Sequence, residues 1–290
     1  MKKSYLKYII SLLIFGSNGV VASYIDLSSS QIVLSRTMIG SLFLGLLFIV
    51  GKKHLQIKQI KKQWLYLVGS GGAMGLSWIF LFAAYRLTSV STATLAYYCG
   101  PVMVMAAAPF LFREKTAAAK ICGIFVVVVG MMLVNGADVL TAGVSAGLVC
   151  GLFSALLYAV MIIFNKKITG LTGLESTLVQ LITACGVVAI YTVGIQEESL
   201  YISGADAVPV LFLGLVNTGL ACYLYFSSIR DIPAQSVAIC SYIDPLSALV
   251  FSAGILHEQL RFLQVVGAIL ILSGAALGEL YPSKSKLDLS

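Results

Sequence analysis

Apolar residues along this chain come in long unbroken runs, not in the alternation of a half-buried strand or the one-sided stripe of a surface helix. Ten runs stand out, at about 6–25, 31–50, 65–84, 91–112, 118–135, 143–164, 176–196, 206–227, 235–256 and 262–281. A helix needs about 20 apolar residues to cross a bilayer, and in lipid each segment must satisfy its own backbone groups. Each run is therefore predicted to be a transmembrane helix. Short polar breaks such as 135–143 leave no room for a soluble domain. The pattern predicts an all-α integral membrane protein of ten transmembrane helices in two sets of five, residues 1–137 and 143–281, with a tail at 282–290. The basic start of the first run resembles a signal peptide, but the run is too long, has no small-residue cleavage site and precedes many more spans.

The two sets are copies. Sliding the chain by 144 positions without a gap lays Tyr98 on Tyr242, Pro101 on Pro245 and Glu114 on Glu258. The same offset pairs Gly75 with Gly219, Phe82 with Phe226, Arg86 with Arg230, Gly123 with Gly267 and Gly130 with Gly274. Shared hydrophobicity does not place prolines and glutamates in register. With an odd number of helices in each copy, the second enters the membrane from the opposite side, so the copies are expected to be inverted. Inverted repeats suit secondary transporters, because exchanging the conformations of the two halves turns an inward-open state outward-open.

Composition agrees: 59% of residues are hydrophobic and 11% charged, with mean hydropathy +0.97, outside the range of a soluble domain of this size. The net charge of +7 would suggest nucleic acid in a soluble protein, but here the placement of charge decides. With the N-terminus inside, 16 of the 19 Lys and Arg lie in cytoplasmic segments, Arg86 and Arg261 outside, and Arg36 within the second helix. That bias predicts a multi-pass plasma-membrane protein with both termini cytoplasmic, and it leaves the lysine-rich stretch 52–62 no nucleic-acid role. All six cysteines, Cys99, Cys122, Cys150, Cys185, Cys222 and Cys240, lie in apolar runs without metal spacing and are read as small buried hydrophobes.

The sharpest chemical candidate is Asp244, an acid beside Pro245 in the middle of the ninth run. A charge at that depth costs roughly 2.5–3.5 kcal/mol on insertion scales. It either binds a substrate ammonium or carries a proton as the protein alternates, or it caps a half-helix begun by Pro245, with a salt bridge to Arg36 as a variant. Pro101 and Pro245 each remove a backbone hydrogen bond and are hinge candidates; Pro109 adds a break. Arg36 either snorkels to the interface or pairs with Asp244 or a substrate carboxylate. Polar residues at depth are Asn18, Asn217, Thr218 and Gln180, suited to a ligand or to interhelical hydrogen bonds. Trp78, Tyr97, Tyr98, Tyr158, Tyr223 and Tyr242 could build an aromatic box for an organic cation, or simply pack. Trp64 and Tyr281 are expected at the interface. Gly143, Gly147 and Gly151 form a stripe that packs within the bundle or joins two copies as a homodimer. Glu114 and Glu258 either cap the following helices or pair as a gate. There is no Walker A loop, no HExxH and no Ser/His/Asp set, so no cofactor, metal or enzymatic chemistry is expected. The partners expected are a small-molecule substrate and the bilayer.

The motifs Tyr98-Cys99-Gly100-Pro101…Glu114 and Tyr242-Ile243-Asp244-Pro245…Glu258, within ten spans in two repeats, resemble the EamA-type branch of the drug/metabolite transporter superfamily. Gly100 stands where the second copy has Asp244, so any charge-based role is asymmetric. Helix one lacks an acid, unlike the small four-helix drug exporters. The resemblance implies export or exchange of small metabolites, often amino acids, driven by an ion gradient. Two other readings stay open: an organic-cation or drug transporter using Asp244 and aromatic side chains, and a membrane interaction protein that transports nothing.

Overall fold

The structure, a computed structural model, describes residues 2–52, 55–88, 93, 96–112, 118–135, 146–194, 202–257 and 262–280. Glu114, Glu258, Arg261 and Gly143 lie outside the described residues. Described residues form helices and no strand: α1 (Lys2–Gly16), α2 (Asn18–Ala22), α3 (Ser29–Val50), α4 (Ile57–Lys62), α5 (Trp64–Leu87), α6 (Cys99–Phe112) and α7 (Ala118–Asn135). They continue with α8 (Ala146–Lys166), α9 (Gly173–Gly194), α10 (Gly204–Gly214), a π-helix (Leu215–Leu220), α11 (Ala221–Ser228), α12 (Ala234–Cys240), α13 (Ile243–Ile255) and α14 (Phe262–Leu280). Among the described residues seven segments are long and apolar enough to cross a membrane, and Cys99–Phe112, Ala118–Leu133 and Val265–Leu277 are shorter apolar helices.

Helix starts follow local chemistry. Ser28 heads α3 with a capping box: its hydroxyl accepts the Gln31 N–H while Gln31 Oε1 accepts the Ser28 N–H, each at 3.2 Å. Ser203 caps α10 through the Asp206 N–H at 3.2 Å, and the Asp206 carboxylate accepts the Asp26 N–H at 2.9 Å, tying the segment after α2 to the start of α10.

Four segments depart from the simple runs. The first span breaks at Ser17, between α1 and α2, where Gly16 packs so tightly on α13 that a Cβ would meet Ser247 Oγ at 1.8 Å. The segment Gly204–Ser228 passes through the π-helix, and the segment Ala234–Ile255 splits at Ser241–Tyr242, just before Asp244-Pro245. Pro245 has no N–H to offer the Ser241 carbonyl, which accepts the Asp244 N–H at 3.1 Å instead. The lysine-rich stretch, read as a cytoplasmic segment, contains α4, held near the bundle where Glu175 accepts the Gln56 N–H at 2.9 Å.

The two halves interlock. The pairs α1–α11 and α5–α8 pack together, as do α1–α13 and α6–α8, and likewise α3 with the π-helix and α5 with α9. Exchanging the halves turns each pair into the other. The pairs α7–α14, α3–α9 and α6–α12 map onto themselves. In lipid such contacts rest on close packing more than on the hydrophobic effect, which is why small residues mark them. A Cβ on Gly130 would sit 2.6 Å from the Gly267 carbonyl oxygen, and one on Gly274 would sit 2.6 Å from that of Gly123. The cysteines are all free.

Candidate functional site

Where the halves meet, a cavity of about 580 Å3 is lined from both. Of the residues singled out from sequence, Asp244, Tyr98, Arg36, Asn18, Trp78, Tyr158, Pro101 and Pro245 face it. Tyr242 and Asn217 are not on its wall. Tyr242 is buried and donates its hydroxyl to the Tyr98 carbonyl at 2.8 Å. Asn217 donates to the Ile14 carbonyl at 2.9 Å and to Ser17 Oγ at 2.8 Å, holding the break in the first span.

The chain break before Pro245 puts Asp244 in the first turn of α13, where the positive end of the helix favours a carboxylate. The Asp244 carboxylate lies near the Tyr98 hydroxyl, both on the cavity wall. Arg36 turns inward: it is 8% exposed, its Nε donates to Thr218 Oγ1 at 2.8 Å, and its guanidinium carbon lies 5.0 Å from the centroid of the Trp78 ring. Arg36 and Asp244 both line the cavity and form no ion pair with each other. An arginine placed so deep does not reach the interface.

The walls are aromatic. The Tyr97 ring packs edge-on against Tyr98 at 5.4 Å and Tyr158 at 5.6 Å. The Tyr158 and Tyr225 hydroxyls lie 3.1 Å apart, and the Tyr225 ring meets Tyr8 at 5.4 Å and Phe15 at 5.7 Å. Asn18 Oδ1 is buried without a hydrogen-bond partner among the described residues.

Several wall residues escape a reading of the sequence. Tyr225, Cys222, Ser77 and Phe226 line the cavity, whereas Tyr223, proposed as aromatic, does not. Each residue of an α-helix turns by about 100°, so the wider π-turn just before α11 resets which side chains point inward. No run of apolar letters signals that. Gln180, offset by one repeat from Arg36, serves to join helices instead. Its Oε1 accepts from Ser70 and from Asn165 at 3.1 Å, and its Nε2 donates to the Ser176 carbonyl at 2.9 Å.

Toward the end of the bundle that carries the N-terminus lies a polar layer whose residues are not on the cavity wall. Lys166 Nζ donates to the carbonyls of Ile229 and Ile232, Lys120 Nζ to Ser236 Oγ at 3.4 Å, and Ser4 Oγ to Asp231 Oδ2 at 2.9 Å. Above it Tyr8 donates to the Val237 carbonyl at 2.8 Å. The lining reaches Ala22 and Ile32 toward the opposite end. A chamber of this kind can hold a small molecule with an apolar body and charged groups.

The sequence profile of the EamA-like transporter family matches residues 2–136 and again 145–278. A Bacillus subtilis (strain 168) protein named Uncharacterized transporter YxxF is 28% identical over 275 residues, spanning 94% of this chain and 88% of its own length. A Salmonella typhimurium protein named Probable amino-acid metabolite efflux pump is 25% identical over 210 residues, 67% of this chain and 69% of its own length. A solved crystal structure superposes with a TM-score of 0.84 at 17% identity, covering 97% of this chain and 99% of that one, a likeness of fold alone.

Proposed function

Since the chain belongs to the EamA-like transporter family, we propose that it is a secondary active transporter that exports or exchanges a small polar metabolite, an amino acid or related compound, by alternating access. In this reading ten spans form two inverted five-helix repeats, residues 1–137 and 143–281, with both termini cytoplasmic. The observation that carries it is the cavity of about 580 Å3 between the halves, apolar on most of its wall, with the Asp244 carboxylate and the Arg36 guanidinium facing it. Reciprocal packing of the halves supports an exchange of their conformations. Asp244 is the carboxylate on the lining and so the candidate for binding an ammonium group or for coupling to protons, with Pro101 and Pro245 at the chain breaks as hinges. An organic-cation reading is weaker, because the Arg36 guanidinium already occupies the face of Trp78. A cation in the same chamber would meet that charge.

The test is flux and counterflow of radiolabelled amino acids and amines in proteoliposomes, comparing wild type with Asp244→Asn with and without a pH gradient. Gradient-driven flux that disappears in Asp244→Asn while counterflow survives is the expected result. If both persist, Asp244 plays no part in coupling. If wild type moves none of the compounds, the transport reading loses its support.

A further inference from the structure

An arginine at the wall of a largely apolar chamber calls for a partner. A guanidinium offers five N–H donors in a planar fork and no acceptor. One donor of Arg36, at Nε, is spent on Thr218 Oγ1, and the ring of Trp78 backs the group. Nη1 and Nη2 have no hydrogen-bond partner among the described residues, although the residue is 8% exposed. Four charged donors left unpaired on the wall of a largely apolar chamber are costly, and an ionisable residue inside a membrane marks a functional site by default.

The surroundings hold the group rather than satisfy it. Thr218 lies in the π-helix, where its hydroxyl donates to the Leu213 carbonyl five residues back at 2.9 Å. With that proton committed, its oxygen lone pairs can only accept, and one takes Arg36 Nε. Gly40, one turn along α3 from Arg36, lets Thr218 approach: a Cβ there would fall 2.9 Å from Thr218 Cγ2. The matching position of the second repeat, Gln180, has both its amide groups bonded within the protein. The unspent fork therefore exists on one side of the cavity only.

We infer that the Nη1–Nη2 edge of Arg36 is a carboxylate-binding subsite, with Thr218 as its positioning residue and Trp78 as its backing. This rests on the transport reading and narrows it: the cargo bears a carboxylate, which a guanidinium fork engages through two parallel N–H···O bonds. Asp244, on the same lining, is then available to a cationic amine of the same molecule. A cargo with an amine alone leaves the fork unpaired and is rejected.

The test uses the full chain in proteoliposomes and phenylglyoxal, which condenses with guanidinium groups, followed at the Arg36 peptide by mass spectrometry. Probes are acid–amine pairs that share a side chain and differ by one carboxylate: phenylalanine with phenethylamine, leucine with isoamylamine, and lysine with cadaverine. At least one acid is expected to slow labelling of Arg36 while its amine does not. In Thr218→Val, the acid concentration giving half-protection rises roughly ten- to hundred-fold, as for loss of a hydrogen bond to a charged group; Thr218→Ser restores most of it. Equal protection by acids and amines, no protection by any acid, or a Thr218→Val response like that of wild type overturns the proposal. Labelling needs no translocation, so the two readings fail separately. Acid protection without flux of any compound removes the transporter and leaves the subsite, whereas flux of amines without acid protection does the reverse.

Discussion

Tyr242 donates its hydroxyl to the carbonyl oxygen of Tyr98, 2.8 Å away, and the two tyrosines hold the same position in the two copies of the repeat, 144 residues apart. Their rings lie 6.1 Å apart. The contact sits where both copies interrupt a helix, at Tyr98 before Pro101 and at Ser241–Tyr242 before Pro245. The two tyrosines have diverged in role: one hydroxyl closes the break, the other reaches Asp244. Tyr242→Phe is expected to cost about 1 kcal/mol of stability, read as a lower midpoint of thermal unfolding in detergent. Tyr98→Phe should change that midpoint less and alter the concentration dependence of flux more. Equal behaviour of the two variants would contradict this division.

Gly130 and Gly274 should fail alike. Each would place a Cβ 2.6 Å from a carbonyl oxygen of the facing helix, on Gly267 and Gly123 respectively, and backbone cannot rotate away as a side chain can. Gly130→Ala and Gly274→Ala are each expected to destabilise by roughly 1–3 kcal/mol. A large difference between them in the same unfolding assay would argue against a shared, self-symmetric interface.

Ser77 and Ser154 join α5 to α8 by a reciprocal pair: Ser77 Oγ donates to the Ser154 carbonyl at 2.9 Å and Ser154 Oγ to that of Ser77 at 2.7 Å. Ser77→Ala and Ser154→Ala, measured singly and together, should give a coupling of about 0.6 kcal/mol, the usual size for hydrogen bonds between membrane helices. Strict additivity would mean the pair contributes nothing as a unit.

Lys166 bonds the carbonyls of Ile229 and Ile232, just after α11, and lies 5.7 Å from the Phe112 ring, so it belongs to the polar layer near the N-terminus, which on the transport reading seals that end. Lys166→Met should weaken that closure. Cys240, 6% exposed and in the chain between Ser236 of that layer and Ser241 of the cavity wall, should then react faster with a water-soluble maleimide, followed at its own peptide. An unchanged rate would show that the layer closes without Lys166.

Much of the architecture is legible in the letters because membrane insertion imposes a length rule on every span. Long apolar runs announced the helices, and the register of Tyr98 with Tyr242 and of Pro101 with Pro245 announced the duplication. Asp244 and Arg36 stood out because charges at depth are rare. The faces of the helices were not legible. A helix that is apolar all round carries no stripe to say which side looks inward, and so Tyr223 was named where Tyr225 lines the cavity.

The sequence by itself determined the class of protein, the repeat and the presence of buried charge, since each depends on residue type and spacing along one chain. Only the tertiary structure decided what those charges meet. Arg36 and Thr218 are 182 residues apart in sequence, and their contact depends on a π-turn that changes the phase of one helix and on a glycine that lets another approach. Asp244 finds Tyr98 across the two copies of the repeat. Such pairings are set by how the halves interlock, a property of packing in three dimensions that no local pattern of hydrophobic and polar residues contains.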